Sequence, residues 1–542
     1  MKRRFLAMML ALLLALTTLA VVGCGNNGND DGGADDPPTT EDTTQEDDEP
    51  EPDVVDDGEP TTVTIWFMGG NAENDDAAVI EAANARLQEL GVNVAINPIW
   101  TGGWGMGEPA QTALDTGDTS VDIYFTASWG INYFNNARIG NFIRIDDPNN
   151  NLLERYGQDL KAAIPDVLWD AFVTEGPSGR GLYAVPGHKD YAALFTLDVN
   201  NTRLAELGFD FDEIFDMEGT NYQIIFDPVF EEIMQAAQDR WGENFFPLNL
   251  EAGNFVQHFS ATDGDLTGLH AFMFPFDPND PTQPENPEIT LQIEDELFLR
   301  VLERVRHFWE MGFIDPRLAI PAEAGDVIGG ASRAGEYMFS TGQYAFGHTA
   351  SAQAERGIDS RFVPISRPIV STMSAAGSGF GISVYSQNQE TAMKFLNAWY
   401  TDNELAVILT EGLEGIHWDF DDDGLIVVNP DRQYNTWRFG MGNIFVLTPR
   451  NTDGADYFTG FNAYNQAGIP TALLGFVFNS EPVAAEMAAL TGVVEEFRPT
   501  ITVGALDLET AVPAYLAALQ ANGIDRVLEE LNNQVQEFLA NR

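Results

Sequence analysis

The stretch TVTIWFMGGNAENDDAAVIEAANARLQELGVNVAINPIW, Thr62–Trp100, changes its hydrophobic period from two to nearly four and back again. Thr62 to Phe67 alternates and is rich in β-branched and aromatic residues, which predicts a strand, and Met68-Gly69-Gly70-Asn71 follows as a turn. Over Ala77–Leu90 the residues Val79, Ala83, Leu87 and Leu90 recur at helical spacing, with Asp75 and Asp76 at the start and Gly91 as the stop. Val92–Ile99 predicts a second strand. A helix-like segment, Pro109–Leu114, and a third strand over Val121–Phe125 complete a β-α-β-α-β order. That order implies an α/β fold with parallel strands covered by helices. In such sheets ligands sit beyond the carboxyl ends of the strands. Here those ends carry Met68–Asn71, Trp100–Gly107 and Thr126–Tyr133.

Farther along, helical periodicity appears over Pro228–Trp241 and Asp295–Met311, the second with Leu297, Val301, Leu302, Val305 and Phe308 on one side. DPNDPTQPENPE, Asp277–Glu288, reads as a proline-rich surface loop. A helix over Glu390–Tyr400 precedes a hairpin around Asp421–Gly424. The chain ends in a helix whose Ile524, Val527, Leu528, Leu531, Val535 and Phe538 share a face. No internal repeat is evident. From Thr61 onward roughly 480 residues of globular composition exceed what one hydrophobic core serves, so two lobes or more are expected.

The chain holds a single cysteine, Cys24, which excludes an intrachain disulfide. Before it stand Lys2, Arg3 and Arg4, an apolar run from Phe5 to Leu16, and small residues ending at Gly23. This is the order of a secretory signal peptide, residues 1–23. A retained spanning helix over Phe5–Val22 is the competing reading. Val21-Val22-Gly23-Cys24 resembles the lipobox of bacterial lipoproteins, which implies cleavage before Cys24 and a diacylglycerol thioether on its sulfur. Residues 24–60 are, after Cys24, mostly Asn, Gly, Asp, Glu, Pro and Thr, with every charge acidic, and predict a disordered, extended tether.

The formal net charge is -57. Beyond the signal the lysines are Lys161, Lys189 and Lys394 alone. Nucleic acid and anionic membrane surfaces need clustered cations and are excluded as partners.

Several blocks resemble the family 1 extracellular solute-binding proteins, the lipoprotein receptor subunits of ABC importers. They are DIYFTASWGINYFNNARIGNFIRID from Asp122, GLYAVPGHKD from Gly181, and ETAMKFLNAWYTDNELAVILTEGLEGIHWDFDDDG from Glu390. The last is similar to a pattern of Gram-positive members, a helix, then GxEGxHY, then a DG turn, with Trp418 where Tyr is commoner. FVFNSEPVAAEMAALTGVVEEF from Phe476 and QANGIDRVLEELNNQVQEFL from Gln520 resemble the extra C-terminal domain of one lipoprotein subgroup. The resemblance implies a two-lobed periplasmic-binding-protein-like fold (type II), with discontinuous lobes joined by hinge crossovers and solute captured between them. It places lobe 1 at 61–188, continued in about 371–430, lobe 2 at 189–370, and a C-terminal region, 431–542, packing on the lobes. The crossovers are expected near Pro186–Asp190, near Ser371–Gly381 and within Gly412–Tyr434.

A sugar site combines aromatic platforms for apolar ring faces with hydrogen-bonding groups for hydroxyls. Trp100, Trp104, Trp129 and Tyr133 lie at or just past predicted strand ends, beside Asn71 and Glu73. Each of these aromatics serves equally well as core or hinge packing. Lys189 and Asp190, at the expected hinge, hydrogen-bond ligand or pair with neighbouring loops. GSGFG, Gly377–Gly381, precedes a strand-like ISVY rather than a helix, so it reads as close backbone approach and not as a dinucleotide fingerprint. Asp419, Asp421, Asp423 and Gly424 match the first half of a calcium loop, but position twelve is Pro430, and a hairpin turn is the preferred reading. His188, His258, His270, His307, His348 and His417 show no metal-ligand spacing, and no G-x-S-x-G elbow is present. The resulting expectation is no enzyme, no cofactor and no metal. The chain reads as a lipid-anchored receptor on the extracellular face of the membrane that delivers a carbohydrate, an oligosaccharide, to ABC permease subunits. The alternatives are a receptor for a peptide or other solute, and a surface enzyme acting on glycans.

Overall fold

A computed structural model describes residues 58–69, 75–101, 107–250, 254–259, 267–274, 286–344, 357–434 and 436–541. The signal segment, Cys24 and the tether to residue 57 lie outside the described residues, as does most of the proline-rich stretch, 275–285. Thr61–Met68 (β1), Val94–Thr101 (β2) and Ile123–Thr126 (β3) form the predicted parallel core of a five-stranded sheet. Gly379–Ile382 runs antiparallel beside β3, and Val185–Pro186 closes that edge. Val63, Ile65 and Phe67, which share one face of β1, are fully buried, and Thr64 and Met68 on the other face are buried as well. The helix Asp76–Glu89 lays Ala83 and Leu87 into the core of this sheet, and its Val79 is buried against Tyr434. Leu90, expected on that stripe, is the C-cap residue and is exposed, because the helix has already ended.

Leu194–Asn200 founds a second sheet. It pairs antiparallel with Phe339–Tyr344 on one side and Ser360–Pro364 on the other, and Leu248–Asn249 adds a fourth strand. Its core gathers the helices Pro228–Trp241 and Glu296–Glu310. In the latter, Leu297 packs partly buried against the core as expected, and Phe298 beside it is buried as well. The buried Asp198 carboxylate on the central strand accepts hydrogen bonds from the Tyr337 and Ser360 hydroxyls, so this buried acid is fully partnered.

The described chain passes between the two cores at three places. Gly187–Ala193 leaves the first sheet for the second, and 365–378 returns. The third passage was expected within Gly412–Tyr434 and is instead at 468–473. Trp418–Phe420 and Ile426–Val428 form a hairpin whose Trp418 and Ile426 sit in the first core, and that core continues through Tyr457 and Phe461. From Leu473 on, the buried residues belong to the second core. The helices Ala484–Thr502, Leu508–Ala521 and Ile524–Ala540 therefore extend that core, through Leu490, Tyr515, Leu531 and Val535.

The three passages hydrogen-bond to one another. Ala193 and Ile369 exchange both backbone bonds, at 2.7 and 2.9 Å, and Ile369–Val370 pairs in parallel with Ile469–Pro470. The buried Asn465 donates to the Lys189 carbonyl and accepts from the Tyr191 N–H, while Ser374 Oγ donates to the Tyr191 carbonyl. Thr372 Oγ1 donates to the Leu473 carbonyl and accepts from Gly475 N–H. His188 is buried in the first passage with its ring 4.3 Å from that of Phe445, and burial pushes its imidazole down to about 4.

GSGFG lies where the return passage enters the first sheet, and its glycines permit close approach. A Cβ on Gly381 would meet Phe142 ring carbons at 2.6 Å, and one on Gly379 would meet Phe172 at 2.7 Å and the Val185 carbonyl at 2.9 Å. Gly381→Ala is expected to destabilise the protein by about 1–3 kcal/mol through overpacking, read as a lowered denaturant midpoint; an unchanged midpoint contradicts this packing.

Candidate ligand-binding cleft

The parallel strands end together, with Met68 of β1 beside Thr101 of β2. Beyond that edge opens a cleft of about 720 Å³. The sheet contributes Trp66 and Phe125, and the helix Gly107–Thr116 turns Glu108, Gln111, Thr112 and Asp115 toward the space. These four recur at helical spacing opposite the buried Ala110 and Leu114, so the polar face of this helix is a wall of the cleft. Gln111 and the buried Asn136 exchange amide hydrogen bonds at 2.9 Å, and Asp115 Oδ1 accepts from Gln111 and from Asn141 Nδ2. The wall is thereby fixed before any ligand arrives.

Residues 128–132, after β3, form the other wall. Trp129 is 47% exposed, and its indole N–H donates to the Gly377 carbonyl at 2.9 Å. Its ring stands edge-on to Trp437, with centroids 5.9 Å apart. Ser128 binds the same passage, its N–H donating to the Ala376 carbonyl and its Oγ to the Met373 carbonyl, both at 2.8 Å. Asn132 caps the helix Tyr133–Ile139 through its Oδ1 while its Nδ2 donates back to the Ser128 carbonyl. Ile131 adopts φ +43°, a strained conformation for a β-branched residue. A loop tied at this many points presents Trp129 in one orientation.

Trp100 has a different role. It stacks on Phe67 with centroids 4.6 Å apart, and its indole N–H donates to Asp76 Oδ1, which also accepts from the Tyr434 hydroxyl. Trp100 is thus a partly buried brace behind the strand ends. Next to it, Asp75 accepts from the Arg432 guanidinium and from His417 Nε2. The Leu413 N–H donates to His417 Nδ1, so Nε2 carries the proton. The hydrogen bonds from Arg432, and secondarily from His417, hold the Asp75 carboxyl at about 2. This cluster fastens the hairpin region to the N-terminus of the helix Asp76–Glu89.

Of the remaining expected contacts, Asn71, Glu73 and Trp104 lie outside the described residues. Tyr133 is a correction: it is fully buried, its hydroxyl donates to the Phe172 carbonyl and accepts from the Tyr183 N–H, and burial pushes its phenol far up. It belongs to the core under the loop, four residues past the exposed Trp129. Lys189 and Asp190 are mostly buried and pair with each other at 2.8 Å within the first passage. The sequence reading missed Glu108, Gln111 and Asp115, although the polar stripe opposite Ala110 and Leu114 was visible. It also missed Trp437, which no local pattern marks.

The acidic turn is a hairpin tip. Asp421 Oδ1 accepts from the N–H groups of Asp423 and Leu425. Among the described residues no group of three or more His, Cys, Asp or Glu side chains is arranged to hold a metal ion, and no helix is long and apolar enough to cross a membrane.

Comparison with known proteins matches residues 472–540 to a domain of unknown function, DUF3502. A carbohydrate ABC transporter substrate-binding protein of Streptococcus pneumoniae serotype 4 is 24% identical over 501 residues, covering 90% of this chain and 93% of that protein. The crystal structure of the N-glycan transport solute binding protein from Streptococcus pneumoniae superposes with a TM-score of 0.71 at 20% identity, covering 89% of this chain and 99% of that one. Its complex with Man5GlcNAc gives 0.64 over the same shares. An alginate-binding protein gives 0.58 at 14% identity, again over 89% and 99%. The fold is that of the type II solute-binding proteins.

Because Asp75 titrates lower folded than its ordinary value of 3.8, its stabilising contribution is complete above that value and is lost as pH falls toward 2. Asp75→Asn is expected to be less stable than the parent at pH 5, with the two unfolding curves converging as the pH approaches 2. A gap that persists at pH 2 contradicts the assignment.

Proposed function

We propose that this chain, built on the two-lobed solute-binding fold, is the extracellular receptor of an ABC importer and captures an oligosaccharide for delivery to a membrane permease. The observation that carries this reading is Trp129, a half-exposed indole locked at the mouth of a cleft whose opposite wall is a row of polar side chains. A sugar ring offers an apolar face to such an indole, while its hydroxyls donate to Glu108 and Asp115 and exchange hydrogen bonds with the amide and hydroxyl groups beside them. The full-length likeness to a carbohydrate receptor, and the fold shared with a protein crystallised with Man5GlcNAc, support the same class of cargo.

Capture follows from differential affinity. A ligand that touches both lobes favours the closed arrangement by its extra free energy of contact with that arrangement. The platform loop is bonded directly to the return passage through Ser128 and Trp129, so ligand held on Trp129 and flexing of the hinge share the same hydrogen bonds. Cargo leaves chemically unchanged, which distinguishes this role from glycan hydrolysis. In the mature protein Cys24 carries the lipid that holds the receptor at the membrane, and the acidic tether supplies reach.

The test is thermal unfolding of the full chain in detergent against a panel of oligosaccharides and peptides, since a ligand of the folded state raises the midpoint. The expected result is a shift with one glycan class, the glycan recovered intact, and an affinity at least about tenfold weaker in Trp129→Ala, about 1.4 kcal/mol. A shift with peptides alone, or a consumed glycan, contradicts the reading.

A further inference from the structure

We infer that the cleft selects uncharged oligosaccharides and turns away sugars that carry carboxylate groups; this rests on the receptor reading above and narrows its substrate class. The fold itself does not decide the matter, because the same architecture serves an alginate-binding protein. The lining does. Two of the polar groups on the helical wall, Glu108 and Asp115, are carboxylates, and among the described lining residues there is no lysine or arginine.

Lys189, Arg432 and Arg438 are not among the lining residues: Lys189 pairs with Asp190 in the first passage at 12% exposure, Arg432 pairs with Asp75, and Arg438 donates from Nη1 to Asp453 at 2.7 Å while its Nε and Nη2 are buried without hydrogen-bond partners. A carboxylate only accepts hydrogen bonds, so Glu108 and Asp115 call for ligand groups that donate, which hydroxyls do. A uronate ring would bring a second acceptor carrying the same charge to a wall with no cation to pair with it, and would lose its hydration without compensation. The hydrogen bonds to Asp115 from Gln111 and Asn141 hold that acceptor in place, so it cannot swing aside cheaply. At longer range the net charge of -57 lowers the local concentration of any anion.

The experiment is isothermal titration of the full chain in detergent with matched pairs: gluco-, manno- and galacto-oligosaccharides against the uronate oligomers of the same linkage, and each uronate as its methyl ester. The expected result is at least about a tenfold deficit for the uronate of the pair that binds. Methyl esterification should restore the affinity, the deficit should narrow at high ionic strength, and it should also narrow in Asp115→Asn and Glu108→Gln. A uronate that binds as tightly as its neutral partner overturns the inference and leaves the receptor reading standing. A deficit insensitive to both salt and esterification also overturns it, by showing a steric origin. If no member of any pair binds, the carbohydrate reading itself falls, and this inference with it.

Discussion

Everything in this molecule depends on the backbone pairing of the three passages between its cores. A chain that leaves one hydrophobic core for another must satisfy its N–H and C=O groups where neither core supplies a partner, and each buried group left unpaired costs about 1–3 kcal/mol. Here the passages satisfy one another. Ala193 bridges Ile369, Ile369–Val370 pairs with Ile469–Pro470, and the side chains of Asn465, Ser374 and Thr372 cap what remains. The side chains of Ala193 and Ile369 form a small cluster that belongs to neither core. Such a hinge is well bonded across its strands yet buries little apolar surface of its own, which is the combination a reversible closure needs.

The proposed binding platform is bonded directly to these passages. Ser128 and Trp129 spend their polar groups on Met373, Ala376 and Gly377, the residues through which the chain returns to the first sheet. The strain at Ile131 and the cap at Asn132 fix the loop from its far side. The contact that a sugar would make and the contact that positions the hinge are therefore one side chain apart. The Asp75, His417 and Arg432 cluster ties the segment after the hairpin to the N-terminus of the helix Asp76–Glu89.

Much of this was legible in the sequence because strong periodicity has one physical meaning. The alternation in TVTIWF and the stripe of Val79, Ala83 and Leu87 could only bury on a sheet and a helix, and both are present. The glycines of GSGFG announced close packing, and Phe142 and Phe172 are what they approach. The third passage was not legible: Ile469–Pro470 is a two-residue pairing with no period to read, whereas the turn-rich hairpin at 418–428 looked like a boundary and is core. Trp129 and Tyr133 are equally aromatic and four residues apart. Only the loop conformation between them, with Ile131 at positive φ, sends one outward and the other beneath. Trp437 joins Trp129 from more than three hundred positions away, beyond the reach of any local pattern.

The most direct test of the link between platform and hinge uses Trp129→Phe, which keeps an aromatic face and removes the N–H that binds Gly377. Single-molecule energy transfer between dyes at the exposed positions Glu81 and Asp239, one on each lobe, reports closure with and without a saturating glycan. The account predicts that the variant still binds the glycan but populates the closed arrangement less than the parent at saturation. Equal closure in parent and variant would contradict it.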